Sequence, residues 1–333
     1  MEKRKFKKSE IAISIAAVFV IFLFAFSYIM YNRSVVATLA EYYLSLTTKE
    51  VTKEEKIKEL EYRLSLGDFK NEFPDYKFDF SFEEKDEAGM QVYYLNEQEK
   101  PRDVIFYLHG GSYIDQPVNW HYRFINKLAN NTNAVVIMPL YPLAPNHTYL
   151  KAYELVTKLY LDVLNKYQES NIILMGDSAG GGFALGLAQY LNTLNVAQPD
   201  RLILISPWVD ISMTNPEIKE FEGNDPMLQK EVLDVCASSW AGNEDLKHWM
   251  LSPIYGDLSV LDNVSIFVGT REILYPDCKL LAEKLSELDV ECEFNVGIGL
   301  NHDFVLFPIS EANKAMTIIK KNIANISDKE DNK

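Results

Sequence analysis

Six short apolar runs, separated by stretches of helical periodicity, set the narrowest limits on how this chain folds. They are VIFYLHG (104–110), AVVIMPLY (134–141), NIILMG (171–176), RLILISPW (201–208), VSIFVGT (264–270) and CEFNVGI (292–298). Unbroken apolarity over so few residues suits strands buried on both faces of a parallel sheet. Helical patterns fall between them at residues 149–167, 179–194 and 277–288. Two earlier stretches, KFDFSF (77–82) and MQVYYLN (90–96), alternate in the manner of half-buried antiparallel strands. Antiparallel entry followed by repeated β–α units predicts a doubly wound α/β fold, its mostly parallel central sheet flanked by helices. The gap between Trp208 and Val264 exceeds a simple crossover and predicts a helical cap.

Composition narrows the partners. The chain has 333 residues, 47% of them hydrophobic, enough for one large core. Its net charge of −15 argues against nucleic acid, which needs a basic face. Cys236, Cys278 and Cys292 show no CxxC spacing, so neither a zinc knuckle nor a disulfide framework is expected.

The N-terminus differs sharply from the rest. Lys3, Arg4, Lys5, Lys7 and Lys8 precede 21 uncharged residues, 11–31. As a helix this run would be about 31 Å long, enough to cross a hydrocarbon core of ~30 Å. The basic flank predicts a single-pass membrane protein with a cytoplasmic N-terminus and an exported body. Secretion after signal cleavage, with VVA before Thr38 as the small-residue site, is the alternative. The expected organisation is a basic cytoplasmic end at 1–10 and a transmembrane anchor at 11–31. A helical stalk or cap flap follows at 32–75, favoured as a flap because its Leu, Tyr and Ile positions need burial. A catalytic domain takes 76–325, with a cap insertion at about 209–250, and a polar tail covers 326–333.

The sharpest chemical signal is MGDSAGG (175–181), with Gly176-x-Ser178-x-Gly180 directly after a strand and directly before a helix. Such a turn strains the serine and projects its hydroxyl out of the sheet, while the helix N-terminus favours negative charge there. LHGGSY (108–113) also follows a strand, and its glycines leave backbone N–H groups unobstructed. Gly110, Gly111 and Ala179 would supply three donors to a tetrahedral oxyanion. The base is expected at His302, since the order in such hydrolases is serine, acid, histidine. Only His302 follows Ser178 late enough to leave room for an acid; His109, His121, His147 and His248 are expected to be surface or packing residues. The acid is open between two residues of GTREILYPD (269–277), Glu272 and Asp277.

In order and spacing, LHGGSY, YPLAP (141–145), GDSAGG, SPWVD (206–210), LSPIYGDL (251–258) and HDF (302–304) resemble the hormone-sensitive-lipase-like esterases of the α/β-hydrolase fold. The resemblance spans roughly residues 92–325. It implies a serine esterase that uses neither cofactor nor metal and acts on small or medium acyl esters. The family's acid motif, Asp-x-Leu, falls on Glu272-Ile273-Leu274, so the resemblance implies glutamate as the acid. Asp277 is then a helix-start residue after Pro276. Ser112 stands where the family has its third glycine, adding a hydroxyl donor or narrowing the pocket. An amidase or formamidase on the same triad, and a catalytically weak ligand-binding relative, are the alternative functions.

Overall fold

The computed structural model describes residues 18, 19, 22, 24–68 and 70–330. An eight-stranded sheet runs through its centre in the order β1-β2-β4-β3-β5-β6-β7-β8. These strands are Phe82–Glu87, Met90–Leu95, Asp103–Leu108, Val135–Pro139, Asn171–Asp177, Arg201–Ile205, Val264–Arg271 and Cys292–Asn301, numbered β1 to β8 in chain order. β1, β2 and β4 pair antiparallel, and every pairing from β4 through β3 to β8 is parallel. Residues of β3 alternate between the two faces. Val104, Phe106 and Leu108 join one core, while Ile105 and Tyr107 join the other. Both faces are covered, which explains the continuous apolarity of these strands.

One core packs against α4 (Tyr149–Lys166), α5 (Ser178–Thr193) and α7 (Tyr275–Glu287). The opposite core packs against α3 (Asn119–Thr132) and α8 (Ser310–Glu330). α8 runs through the start of the expected polar tail, and its Ile319, Ile323 and Ile326 are buried. KFDFSF is not a strand; β1 begins only at Phe82. Its aromatic rings instead fold back, Phe78 stacking on Phe82 at 3.9 Å between centroids. The backbone N–H of Asp79 donates to Asn126 on α3 at 2.8 Å. The alternation there reflects packing against a helix, which period alone cannot distinguish from pairing in a sheet.

Before the sheet lie α1 (Val35–Thr47) and α2 (Lys53–Leu66), the latter opened by a Thr52–Glu55 capping box. α2 packs on α6 (Lys230–Ala241), the helix of the segment between β6 and β7. Only Ala37 and Leu60 of the apolar side chains on these two helices are buried; Leu39, Tyr42, Tyr43, Leu46, Tyr62 and Leu66 are exposed, so the expected burial of the Leu and Tyr positions is not met. Arg63 of α2 donates to the Ile114 carbonyl and to Asp115, each at 2.7 Å.

Residues 24–31 are helical. The expected basic end at 1–10 and much of the expected anchor (11–17, 20, 21 and 23) lie outside the described residues. Among the described residues no helix is long and apolar enough to cross a membrane. Directly after residue 31 the chain is fastened to the domain. Buried Arg33 donates to the Gly299 carbonyl at 2.5 Å, to Thr38 at 3.0 Å and to Glu41. Glu41 also takes Arg271 at 3.0 Å, and Glu311 of α8 accepts from the Ser34 N–H at 2.6 Å. Replacing Arg33 by leucine strips the Gly299 carbonyl of its donor, while Glu41 keeps Arg271. Urea unfolding of Arg33→Leu should show a loss of about 2 kcal/mol with an unchanged denaturant slope.

Candidate active site

The end of β5 and the start of α5 meet at Ser178. A Cβ on Gly176 would fall 2.3 Å from the Gly180 carbonyl oxygen, and one on Gly180 would fall 2.1 Å from the Leu108 oxygen. No side chain fits at either place, so the strand can pass straight into the helix only through glycines. Ser178 itself takes φ 50°, a left-handed conformation costing on the order of 1–3 kcal/mol, held by this packing.

Three residues far apart in the chain converge there. His302 Nε2 lies 2.9 Å from Ser178 Oγ, and His302 Nδ1 lies 2.5 Å from Glu272 Oε2. All three are buried. The other carboxylate oxygen of Glu272 accepts the Gly269 N–H at 2.7 Å and the Ser206 hydroxyl at 2.8 Å. Glu272 follows an irregular register between β7 and β8 at Gly269 and Arg271. The geometry can move a proton from the hydroxyl to the imidazole while a fixed carboxylate orients the ring.

The oxyanion loop departs from expectation at one position. The Gly110 N–H donates to Asp177 Oδ2 at 3.0 Å, so it is not free to receive an oxyanion. A Cβ there would stand 2.2 Å from the same oxygen. Among the described residues the N–H groups of Gly111 and Ser112 donate to no protein acceptor. With the Ala179 N–H at the start of α5, these are the available donors. Gly111 at φ 123° and Ser112 at φ 53° turn the loop. A left-handed φ at 112 favours glycine, so Ser112 is strained there.

A family model described as an α/β hydrolase fold matches residues 105–306. The chain belongs to that family. An esterase from Acinetobacter venetianus is 31% identical over 223 residues, covering 66% of this chain and 73% of that protein. A Staphylococcus aureus structure described as a candidate esterase has a TM-score of 0.78 at 27% identity, covering 84% of this chain and 95% of that one. The structure of a hormone-sensitive lipase from a metagenome library is alike in fold, with a TM-score of 0.74 at 24% identity, covering 87% and 97%. The chain is a carboxylic ester hydrolase of the α/β-hydrolase fold.

Asp277 stands apart from the cluster of Ser178, His302 and Glu272. It lies in the first turn of α7, where Oδ1 accepts from Asn215 at 2.8 Å and where it lines a cavity with Asp210 and Glu217. Several neighbours of the triad carried no recognisable sequence signal. Asp177 also takes the Tyr107 hydroxyl and His121 Nε2, the latter at 3.3 Å. Ser206 bridges Glu272 to the Asp303 N–H at 3.0 Å. Asp225, from the cap segment, accepts the Ile273 N–H at 2.9 Å. Each is an ordinary polar residue beside a motif; its partners lie 48 to 97 positions away.

Burial pushes the Asp277 carboxyl up to about 7, with the charges of Asp210 and Glu217 adding to it against the Asn215 bond. The unfolded group titrates near ~3.9, so the folded chain binds the extra proton between those values. Its stabilising effect is whole below about pH 4 and is lost as pH rises through about 7. Asp277→Asn should therefore raise stability at pH 8 by on the order of 3 kcal/mol relative to its effect at pH 4. Activity should stay near the parent level; unfolding curves at both pH values and an ester assay check this.

Proposed function

We propose that this enzyme hydrolyses short- to medium-chain acyl esters by a Ser178–His302–Glu272 triad. The observation that carries the reading is the unbroken hydrogen-bond relay from Ser178 Oγ through the imidazole to Glu272. Ser178 attacks the ester carbonyl as its proton passes to His302 Nε2. Glu272 holds the Nδ1 proton and balances the imidazolium that forms. The N–H groups of Gly111, Ser112 and Ala179 receive the oxyanion, each contributing about 10²–10³ in rate. His302 then protonates the leaving alkoxide and afterwards draws a proton from water for deacylation. A short acyl group is supported by the aromatic wall beside the site. Tyr113 stacks on Trp240 at 4.5 Å and on Trp208 at 5.8 Å, one turn along α5 from the serine at Gly182.

Hydrolysis of p-nitrophenyl esters from acetate to dodecanoate should peak at the short end. Ser178→Ala should lower kcat by about 10⁴–10⁶, and Glu272→Gln by about 10⁴. A parent protein inert across the series but active on amides would move the reading to an amidase. Inertness on both would leave a ligand-binding relative.

The reading extends to a membrane-tethered enzyme, on the strength of the uncharged run at 11–31 behind five basic residues. The full chain should stay with membranes through alkaline carbonate washing, and its body should be open to protease from the outer face. Release of a shortened protein into the medium would replace the tether by signal cleavage.

A further inference from the structure

We infer that the outer face of α1 is a lipid-docking surface, which lies against the headgroup layer of a bilayer and seats the enzyme body directly on the membrane. The inference rests on the reading of residues 11–31 as a membrane tether. α1 divides into two faces. Ala37, Ala40 and Leu44 pack on one core of the sheet, and Glu41 turns inward with them to meet Arg33 and Arg271. Val36, Leu39, Tyr43 and Leu46 recur at helical spacing on the other side, and with Tyr42 each is more than half exposed. An apolar row of this length facing water marks an interaction site.

Its charges identify the partner. Between residues 11 and 48 the only charged side chains are Arg33 and Glu41, and they bond to each other. Neither points outward. Arg33 is buried and reaches the Gly299 carbonyl at 2.5 Å, while Glu41 takes Arg271 at 3.0 Å. The outer face of α1 is therefore uncharged in a chain of net charge −15. It offers tyrosine rings among branched aliphatic side chains. That mixture settles at the level of the lipid headgroups, with the hydroxyls in water and the rings in the apolar layer. No lysine or arginine lies on this face, so its docking does not depend on anionic lipid.

The attachment of α1 brings the face to the membrane. The chain leaves the uncharged run at Tyr31 and enters α1 at Val35, at most ~14 Å of extended chain later. Even that slack is taken up. The Arg33 guanidinium lies 4.4 Å from the centre of the Tyr31 ring, and that of Arg271 lies 5.0 Å from it. The Tyr31 carbonyl sits so close to Gly299 that a Cβ there would stand 2.0 Å from its oxygen. The end of the run is thus fixed on β8 and beside β7, with no free linker before α1. Ahead of Tyr31, Phe24, Ile29 and Met30 are exposed as well, so the apolar surface continues into the run. A tether that leaves the hydrocarbon at Tyr31 starts α1 in the headgroup layer, about 5–8 Å deep in each leaflet.

The test places a nitrobenzoxadiazole fluorophore at single cysteines of the full-length protein, reconstituted in phosphatidylcholine vesicles. Cys292→Ser removes the half-buried native thiol, whereas Cys236 and Cys278 are buried. Labels at Leu39→Cys and Tyr43→Cys should shift their emission to the blue and lose fluorescence to lipid brominated near the headgroup end of its chains. A label at Glu169→Cys, an exposed site just before β5, should do neither. A parent-like urea midpoint shows that each labelled chain is folded, and Leu46→Cys replaces either site if it is not. Labels at 39 and 43 that stay in water, in a chain that resists carbonate washing, overturn the inference and leave the tether standing. A blue shift without loss to the brominated lipid assigns the face to a second copy of the chain and overturns it too. Release of the chain by carbonate removes the tether reading, and this inference with it.

Discussion

The Asp177 carboxylate, buried at the end of β5, joins the two halves of the catalytic surface. It precedes the nucleophile in the chain, and it accepts the Gly110 N–H, the Tyr107 hydroxyl and His121. The loop after β3 is thereby bound to the turn after β5. One buried side chain thus holds the loop at Gly110 against the turn that carries Ser178. Burial would push such a carboxyl up, but His121 and Tyr107 outweigh it and hold Asp177 below its ordinary value, hence ionised. An ionised acceptor binds an N–H more strongly than a neutral one. The same bond occupies the Gly110 N–H, while those of Gly111 and Ser112 donate to no protein acceptor among the described residues.

A matching device operates on the acid side. The ends of β6 and β7 bring Ser206 and Glu272 together, and the Ser206 hydroxyl donates to one carboxylate while it accepts the N–H of Asp303. Glutamate serves here because its carboxylate is held from behind by the Gly269 N–H and still reaches the imidazole. Asp225 ties the cap to this loop through the Ile273 N–H, so cap and acid are parts of one network.

The two helices before the sheet are bonded to the domain behind them. Arg63 of α2 grips the oxyanion loop at Ile114 and Asp115, and α1 is fastened to β7 and α8 through Glu41, Arg271 and Glu311. Whatever holds the residues before α1 is coupled through Arg33 to the strand that leads into His302.

Most of the sheet was legible in the sequence because its strands are buried on both faces and so carry a continuous apolar signal. The nucleophile turn was legible because backbone collisions at Gly176 and Gly180 admit only glycine. α3 carried a weaker signal; its asparagines and histidine hide a buried face made by Phe124, Ile125 and Leu128. KFDFSF misled because a helix can bury alternate aromatics as a neighbouring strand does. Chain order alone singled out His302, and the acid was narrowed to two candidates. The sequence by itself thus determined the order of elements and singled out Ser178 and His302 as the candidate nucleophile and base. Only the tertiary structure shows Glu272 rather than Asp277 against His302, the Gly110 N–H taken by Asp177, and Asp177, Ser206 and Asp303 gathered beside them. Those choices depend on hydrogen bonds between strand ends distant in the chain, whose directions no local pattern encodes.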